Sequence, residues 1–194
     1  MRALTLPPAL RIARRTGFRA ALQATAALRR FTADVDQTIV LSGRPRSGTT
    51  WLGWMVCRMT GYPAITEPLM LTSLPDEIKQ RYGLRWRMDR RHDADDPELT
   101  GFLRSILAGT LLLPSFFPPR PSTFARLAAG SPLVVKFCRA NLLLPFLHAQ
   151  FPRNRTVLLV RNPFATAASQ LALGQWDHVD ELVPIFVRSN VPCW

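Results

Sequence analysis

Short apolar runs alternate along this chain with longer stretches whose apolar residues recur at helical spacing. The clearest runs cover 38–42, 133–137 and 156–160, and a shorter one at 64–66 ends just before an acid. Runs of this length that are bounded by turn residues predict buried strands, and the stretches between them predict helices. Since parallel strands need crossover connections, this alternation predicts an α/β fold of three layers, in which helices flank a parallel sheet.

The helix predicted directly after the first strand, over residues 48–60, has sharp bounds. Gly61 and Pro63 end it, because glycine closes helices and proline cannot continue them. Its apolar residues recur at the intervals of one helical face, which predicts a buried stripe. The residues of this stripe are Trp51, Leu52, Met55, Val56 and Met59.

The composition is that of a globular domain. The chain has 194 residues, of which 47% are hydrophobic and 20% charged, so it is long enough to bury a sizeable core. Its three cysteines are far apart and form no C-x-x-C pair, which argues against a disulfide framework or a zinc site and favours a reducing compartment. No apolar run approaches the roughly 20 residues of a membrane span. We therefore expect a cytoplasmic protein without a bound metal.

The net charge is +12, and 23 of the 25 basic residues are arginine. Such a surplus predicts anionic partners, although an Arg-rich composition also places arginine wherever a surface cation is tolerated. The bias is strongest in residues 1–37, where seven arginines precede the first acid, Asp34. Three interpretations stay open for this segment: a helix packed on the domain, an organellar transit peptide, or a membrane-surface helix. We divide the chain into a basic helical leader over 1–37 and a domain over 38–194.

A glycine-rich segment follows the first strand. Gly43 and Gly48 enclose four residues, as in the nucleotide-binding loop G-x-x-x-x-G-K-[ST]. A strand, a glycine loop and a helix start place backbone N–H groups and the positive end of a helix dipole around an anion. Thr49 stands where the nucleotide motif has lysine, and the cation lies inside the loop at Arg46. The segment therefore predicts a P-loop-type fold whose ligand is an anion other than the β,γ-phosphates of ATP.

Residues 45–51 resemble the 5′-phosphosulfate-binding loop of sulfotransferases that use 3′-phosphoadenosine-5′-phosphosulfate (PAPS). The arginine at position 46 resembles the bacterial and tyrosylprotein members, whereas the cytosolic ones usually have lysine there. The resemblance implies that PAPS is the co-substrate and that Arg46 stabilises charge on the leaving phosphate. It also implies that Trp51 stacks on adenine, with a plain core tryptophan as the alternative. The loop residues assigned to cofactor binding are Arg44, Ser47, Gly48, Thr49, Thr50 and Trp51.

Two further segments carry the same resemblance. Arg161 and Ser169 have the eight-residue spacing with which the family holds the 3′-phosphate of PAPS. Arginine suits this role because its planar fork binds phosphate bidentately. Asn162 and Pro163 between them predict a helix start. The strand at 133–137 resembles the family's strand that ends in lysine, which implies that Lys136 lies near the sulfonate end of the donor.

The base that takes the acceptor's proton is less defined. Cytosolic members carry Lys-x-His, but here Cys138 stands in place of the histidine. Tyrosylprotein members use a glutamate about twenty residues beyond the loop arginine, and a base of this kind must reach the acceptor's proton. Glu67 lies 21 residues after Arg46, so we assign it as the base. The alternative is a structural carboxylate that pairs with Arg46 or caps a helix, and His178 is the next candidate.

The resemblance spans about residues 38–171, and the family's later Arg-Lys-Gly-x-x-Gly-type motif is missing, so we expect a domain incomplete at its C-terminus. It implies transfer of a sulfonate group to a hydroxyl or amine of a small molecule, carbohydrate or peptide, without specific nucleic-acid binding. A peripheral membrane contact through the leader and a homo-oligomer are left open. The rival interpretations are an inactive remnant, a basic module held to a membrane or nucleic acid, and a P-loop kinase or other NTPase, which would need the missing loop lysine.

Overall fold

The computed structural model describes residues 8–84, 90–116 and 121–173. Helices separate the strands along these ranges, with three of them between the second and third strands, and a short 3-10 helix covers Leu71–Ser73. The strands are β1 Ile39–Gly43, β2 Ala64–Thr66, β3 Val134–Phe137 and β4 Arg155–Leu159. The helices are α1 Pro8–Thr32, α2 Thr49–Thr60, α3 Asp76–Arg81, α4 Pro97–Leu107, α5 Pro121–Ala128, α6 Leu144–Gln150 and α7 Pro163–Leu171.

The strands form one parallel sheet in the order β2-β3-β1-β4. Val40 of β1 pairs with Val135 of β3 on one side and with Thr156 of β4 on the other. Ile65 of β2 also pairs with Val135, which places β2 at the edge beyond β3. The prediction of a parallel α/β sheet flanked by helices is confirmed.

Both faces of the inner strands β1 and β3 are covered, and successive residues of these strands point to opposite sides. Ile39 and Leu41 pack with Val134 in a small cluster that includes the inner face of α2. Val40, by contrast, belongs to the larger cluster on the other face. That cluster contains the buried side of α4, formed by Leu99, Phe102, Leu103, Ile106 and Leu107.

Strand β4 differs from its prediction. The apolar run at 156–160 predicts a buried strand, yet Val157 is 43% exposed and Leu158 51% exposed. The physical reason is position: β4 is the edge strand that pairs with β1 alone among the described strands. The apolar pattern correctly indicated a strand but not its place in the sheet.

Helix α1 packs into the body of the fold through its C-terminal half. Leu22, Thr25 and Arg29 are buried, and Phe18 meets Phe124 of α5 edge to face, with ring centroids 5.5 Å apart.

The Arg29 guanidinium donates to three backbone carbonyls, those of Ala108 at 2.7 Å and of Leu127 and Ser131 at 3.0 Å each. This packing agrees with the packed-helix interpretation of the segment, while its division from the domain at residue 37 stays a prediction. Within the described ranges, every helix is too short or too polar to cross a bilayer.

Candidate active site

The loop between β1 and α2 is a tight cradle. A Cβ atom placed on Gly43 would come within 2.7 Å of the Leu159 carbonyl oxygen and of Thr49 Cγ2. Gly48, the N-cap of α2, has a φ of 102°, a left-handed conformation that side chains rarely adopt. Both glycines are therefore required by geometry, as the spacing of the loop predicted.

Polar groups in the cradle suit an anion. The first N–H groups of α2 have no partner within the helix, because their carbonyl acceptors would lie before it. Ser47 is buried, and its Oγ has no hydrogen-bond partner among the described residues. An unsatisfied buried hydroxyl costs free energy unless a ligand completes it. The loop thus presents donors without acceptors at the positive end of a helix.

Helix α7 contacts this loop and brings the second predicted pair to it. Its N-cap is Asn162, whose side chain accepts from the Ala165 N–H at 3.1 Å, as the sequence predicted. Arg161 Nη1 donates to the Arg46 carbonyl oxygen at 3.0 Å, and Arg46 Nε donates to Ser169 Oγ at 3.0 Å. The residues predicted to bind the two phosphate ends of PAPS therefore lie side by side.

Sequence reasoning missed Gln170, which ties α7 to the loop. Its side chain is buried, and Nε2 donates to the Pro45 carbonyl oxygen at 2.9 Å. The signal for it was weak, since a glutamine on a helix is usually solvated. The available hint was its spacing of four residues from Thr166, which places both side chains on one face of α7.

Lys136 and Glu67 form an ion pair at the ends of β3 and β2. Lys136 Nζ lies 3.1 Å from Glu67 Oε1 and donates to Thr50 Oγ1 at 2.9 Å. The two charged side chains are only 10% and 16% exposed. Glu67 Oε2 accepts from the Cys138 backbone N–H at 2.9 Å. The structure thus links Glu67 through Lys136 to the first turn of α2, and Glu67 pairs with Lys136 where the alternative interpretation expected Arg46.

Cys138 lies beside this pair. Its thiol is 3.5 Å from Thr49 Oγ1. Burial, and then the negative charge of Glu67, raise the pKa of the Cys138 thiol to about 11. The thiol therefore stays protonated near neutral pH and cannot replace the histidine base of the cytosolic proteins.

Arg46 and Glu67 share an unusual backbone conformation. They are the two non-glycine residues of the described ranges with positive φ, at 70° and 53°. A side chain in this region costs about 1–3 kcal/mol and persists where the surroundings impose it, often at functional sites. This observation is independent of the sequence motifs, and it falls on the predicted leaving-group cation and the predicted base.

Two further residues assigned to cofactor binding, Trp51 and Arg44, lie at the exposed surface of the loop region. Trp51 is 66% exposed and Met59 81% exposed, so the predicted buried stripe of α2 is wrong at both positions. The reason is that α2 faces the sheet through Leu52, Gly53 and Val56, with Gly53 lying against Leu41, which turns these two side chains outward. Trp51 is thus open to a ligand and is not a core residue. Arg44 is exposed as well.

His178 lies outside the described residues. In the part of the chain that the structure describes, no three His, Cys, Asp or Glu side chains come together as a metal ion would require. The arrangement at this edge places hydrogen-bond donors and arginine side chains next to a paired carboxylate. The fold and this edge define an α/β protein with a candidate phosphate-binding loop.

A comparison with known proteins finds a distant relative. The chain is 29% identical over 151 residues to nodulation protein NoeE of Sinorhizobium fredii (strain NBRC 101917 / NGR234), and the match covers 74% of this chain and 33% of that protein. The chain therefore spans about a third of the length of this relative. No family model matches the chain. No solved structure matches it.

Proposed function

We propose that this chain is a sulfotransferase that moves a sulfonate group from PAPS to a hydroxyl or amine acceptor. One observation carries the proposal: loop 43–50, the Arg161–Ser169 pair and the Lys136–Glu67 pair meet at one edge of a parallel sheet. Ligands of such sheets bind at the carboxyl ends of the strands. The distant similarity to NoeE supports sulfuryl transfer at the level of a broad family.

The residues of the loop fit a phosphosulfate. The Gly43 cradle leaves no room for a side chain, and the unsatisfied Ser47 hydroxyl lies inside it. In the proposal, this hydroxyl and the N–H groups at the start of α2 hold the 5′-phosphate. Arg161 and Ser169 hold the 3′-phosphate, a group that ATP lacks. Trp51, exposed next to the loop, offers its ring to the adenine.

The reaction is an in-line displacement at sulfur, in which the acceptor oxygen or nitrogen bonds to sulfur while the bond from sulfur to the bridging phosphate oxygen breaks. Negative charge develops on that bridging oxygen, and the acceptor loses a proton. Arg46 stabilises the developing charge, since a guanidinium keeps its proton and acts as a fixed cation. Lys136, which contacts Thr50 at the loop, places a second cation at the sulfonate end.

Glu67 takes the acceptor's proton in this proposal. Both of its carboxylate oxygens have partners, Lys136 Nζ and the Cys138 N–H. A carboxylate oxygen has more than one lone pair, so each oxygen can still accept a further hydrogen bond. The acceptor hydroxyl would donate its hydrogen bond to a lone pair that stays free on one of these oxygens. The identity of the acceptor stays a prediction: a hydroxyl of a small molecule, carbohydrate or peptide.

Calorimetric titration of the full chain tests the proposal. The two ligands compared are ATP and 3′-phosphoadenosine-5′-phosphate (PAP), the product that remains when PAPS has given up its sulfonate. We expect PAP to bind clearly more tightly than ATP. Arg161→Ala should weaken PAP binding by about 1.5–3 kcal/mol, the scale of a charge-assisted hydrogen-bond pair. Arg153→Ala is the matched control, because Arg153 precedes the start of β4 while Arg161 follows its end.

Equal affinity for ATP and PAP would contradict the proposal and favour a kinase or other NTPase. Salt-sensitive binding to anionic vesicles or DNA, without PAP binding, would favour a basic module instead. PAP binding without sulfuryl transfer to any phenol would indicate an inactive chain that keeps the donor site.

A further inference from the structure

A groove runs between the C-terminal half of α1 and two segments that follow β2 and α4. Its volume is about 500 Å³, within the range of small-molecule sites. The α1 side contributes Arg19, Leu22 and Gln23. The opposite wall comes from Thr72, Leu74 and Pro75 and from residues 112–115. Neither wall belongs to the loop or to α7, so the groove is separate from the proposed donor site.

The backbone connects this groove to Glu67. Phe116, the residue after Ser115, accepts hydrogen bonds through its carbonyl oxygen from the Thr66 N–H at 2.9 Å and from Thr66 Oγ1 at 2.8 Å. Thr66 immediately precedes Glu67. Standard backbone lengths therefore limit the distance between the Ser115 and Glu67 Cα atoms to about 15 Å. One end of the groove thus lies within the length of a small molecule from the predicted base.

The lining of the groove has a mixed character. Six of its ten residues are leucine or proline, and three more are uncharged and polar. Among the described residues that line the groove, Arg19 is the one charged residue and none is an acid. A wall of this kind favours an apolar ligand that carries an anionic group, because none of the described lining residues offers Arg19 a counter-charge.

We propose that this groove holds the acceptor, and that the acceptor is a small amphipathic molecule with an apolar body, an anionic group bound by Arg19 and a hydroxyl directed to Glu67. The inference rests on the proposed sulfotransferase function and adds the substrate class. It also assigns part of α1 to the acceptor site.

The test uses ω-phenylalkanoates of increasing chain length, which lack the phenol hydroxyl and cannot react. Their binding to the full chain is measured by calorimetry without a donor. We expect affinity to rise about two- to fourfold with each added methylene, up to the value for full burial of the group. Leu113→Asp should abolish this rise. Leu111→Asp, two residues earlier and half-buried in the wall of a different cavity, should leave it unchanged.

The anionic group is tested separately. Arg19→Gln should weaken phenylalkanoates about fivefold and leave the matching neutral phenylalkanols unchanged, as expected for an exposed ion pair. Arg30→Gln on the same helix is the control, since Arg30 lines the other cavity. The hydroxylated counterparts, ω-(4-hydroxyphenyl)alkanoates, should then be better acceptors from PAPS than plain phenol, with the same dependence on Leu113 and Arg19.

Two results would overturn the inference in distinguishable ways. If PAP binds and phenol is sulfonated, but chain length and the two groove variants have no effect, the groove is not the acceptor site and the sulfotransferase proposal stands. If phenylalkanoates bind as expected but PAP does not, the proposed function fails and the acceptor assignment fails with it.

Discussion

Two arginines of this chain lie in opposite surroundings. Arg29 of α1 is 1% exposed, and its guanidinium donates to three backbone carbonyls. Arg46 of the loop is exposed, and its guanidinium donates to Ser169 Oγ. The backbone of Arg46 is in the left-handed region, while that of Arg29 is ordinary helix.

The difference separates a buried cation that holds backbone carbonyls from an exposed cation that we propose to act on a ligand. Arg29 binds carbonyl oxygens at the C-terminal ends of α4 and α5, where helix dipoles concentrate negative potential. Burial lowers the pKa of Arg29 to about 10, so these contacts offset a real desolvation cost. Arg46, by contrast, has a strained backbone, and its charged side chain is accessible to solvent. We therefore expect Arg29 to contribute to stability, whereas the proposal assigns Arg46 to ligand binding.

The largest expected effect tests the loop side of this comparison. Arg46→Ala should lower the turnover of sulfonate from PAPS to a phenol by roughly 10²–10³, because the charge it meets develops only as the S–O bond breaks. PAP affinity should change less, and the melting temperature should hardly change, since the side chain is exposed. Single-turnover kinetics measure the sulfonate transfer, calorimetry measures the PAP affinity, and thermal melting measures the stability. Arg58→Ala, exposed on α2, is the control; a loss of stability in place of turnover would contradict the assignment.

The next effect tests the α1 side. Arg29→Met keeps most of the side-chain volume but removes the guanidinium donor from the carbonyls of Ala108, Leu127 and Ser131, which should cost about 3 kcal/mol of unfolding free energy. The melting temperature should fall by about 6–12 °C for a chain of this size. PAP affinity of the folded protein should stay unchanged. Arg30→Met, at the next and exposed position, should have little effect on melting. An Arg29 variant that melts like the parent would show that the three hydrogen bonds contribute little.

The same two regions show what the sequence could predict. The strand, loop and helix around Gly43 were predictable because their signals are local: an apolar run, glycines at fixed spacing and a helical repeat. The spacing of Arg161 and Ser169 was local too, and the structure brings both to the loop. Their roles toward PAPS stay predictions.

What depended on tertiary packing could not be predicted. An arginine on an amphipathic helix is expected at the surface, so nothing marked Arg29 as buried. The apolar run at 156–160 could not show that β4 is an edge strand, because pairing order is a long-range property. The ion pair of Glu67 with Lys136 joins residues from β2 and β3, and neither position indicated the other. The outward direction of Trp51 follows from the packing of Gly53 on Leu41, which periodicity alone does not contain.

A smaller effect separates the two predicted catalytic groups. Glu67→Gln should reduce sulfonate transfer, and that loss should shrink about tenfold at high pH or with a more acidic phenol, because the acceptor then loses its proton without a base. Arg46→Ala should show no such rescue. The measurement is transfer from PAPS to a series of phenols across pH for both variants. If Glu67→Gln matches the parent at every pH, Glu67 is structural and His178 is the next base to test.

The smallest expected effect concerns the charge on Glu67 itself. After burial, the Glu67 carboxylate is the next cause that raises the pKa of the Cys138 thiol. Glu67→Gln removes that negative charge, so the thiol pKa should fall and the thiolate fraction should rise at a given pH. In a variant that keeps Cys138 as its single cysteine, alkylation by iodoacetamide at pH 8 should become about two- to threefold faster. A variant that keeps Cys57 alone is the control, because burial raises that thiol's pKa and Arg126, not Glu67, is the charge that acts on it. An unchanged or slower reaction at Cys138 would contradict the placement of the Glu67 carboxylate beside the thiol.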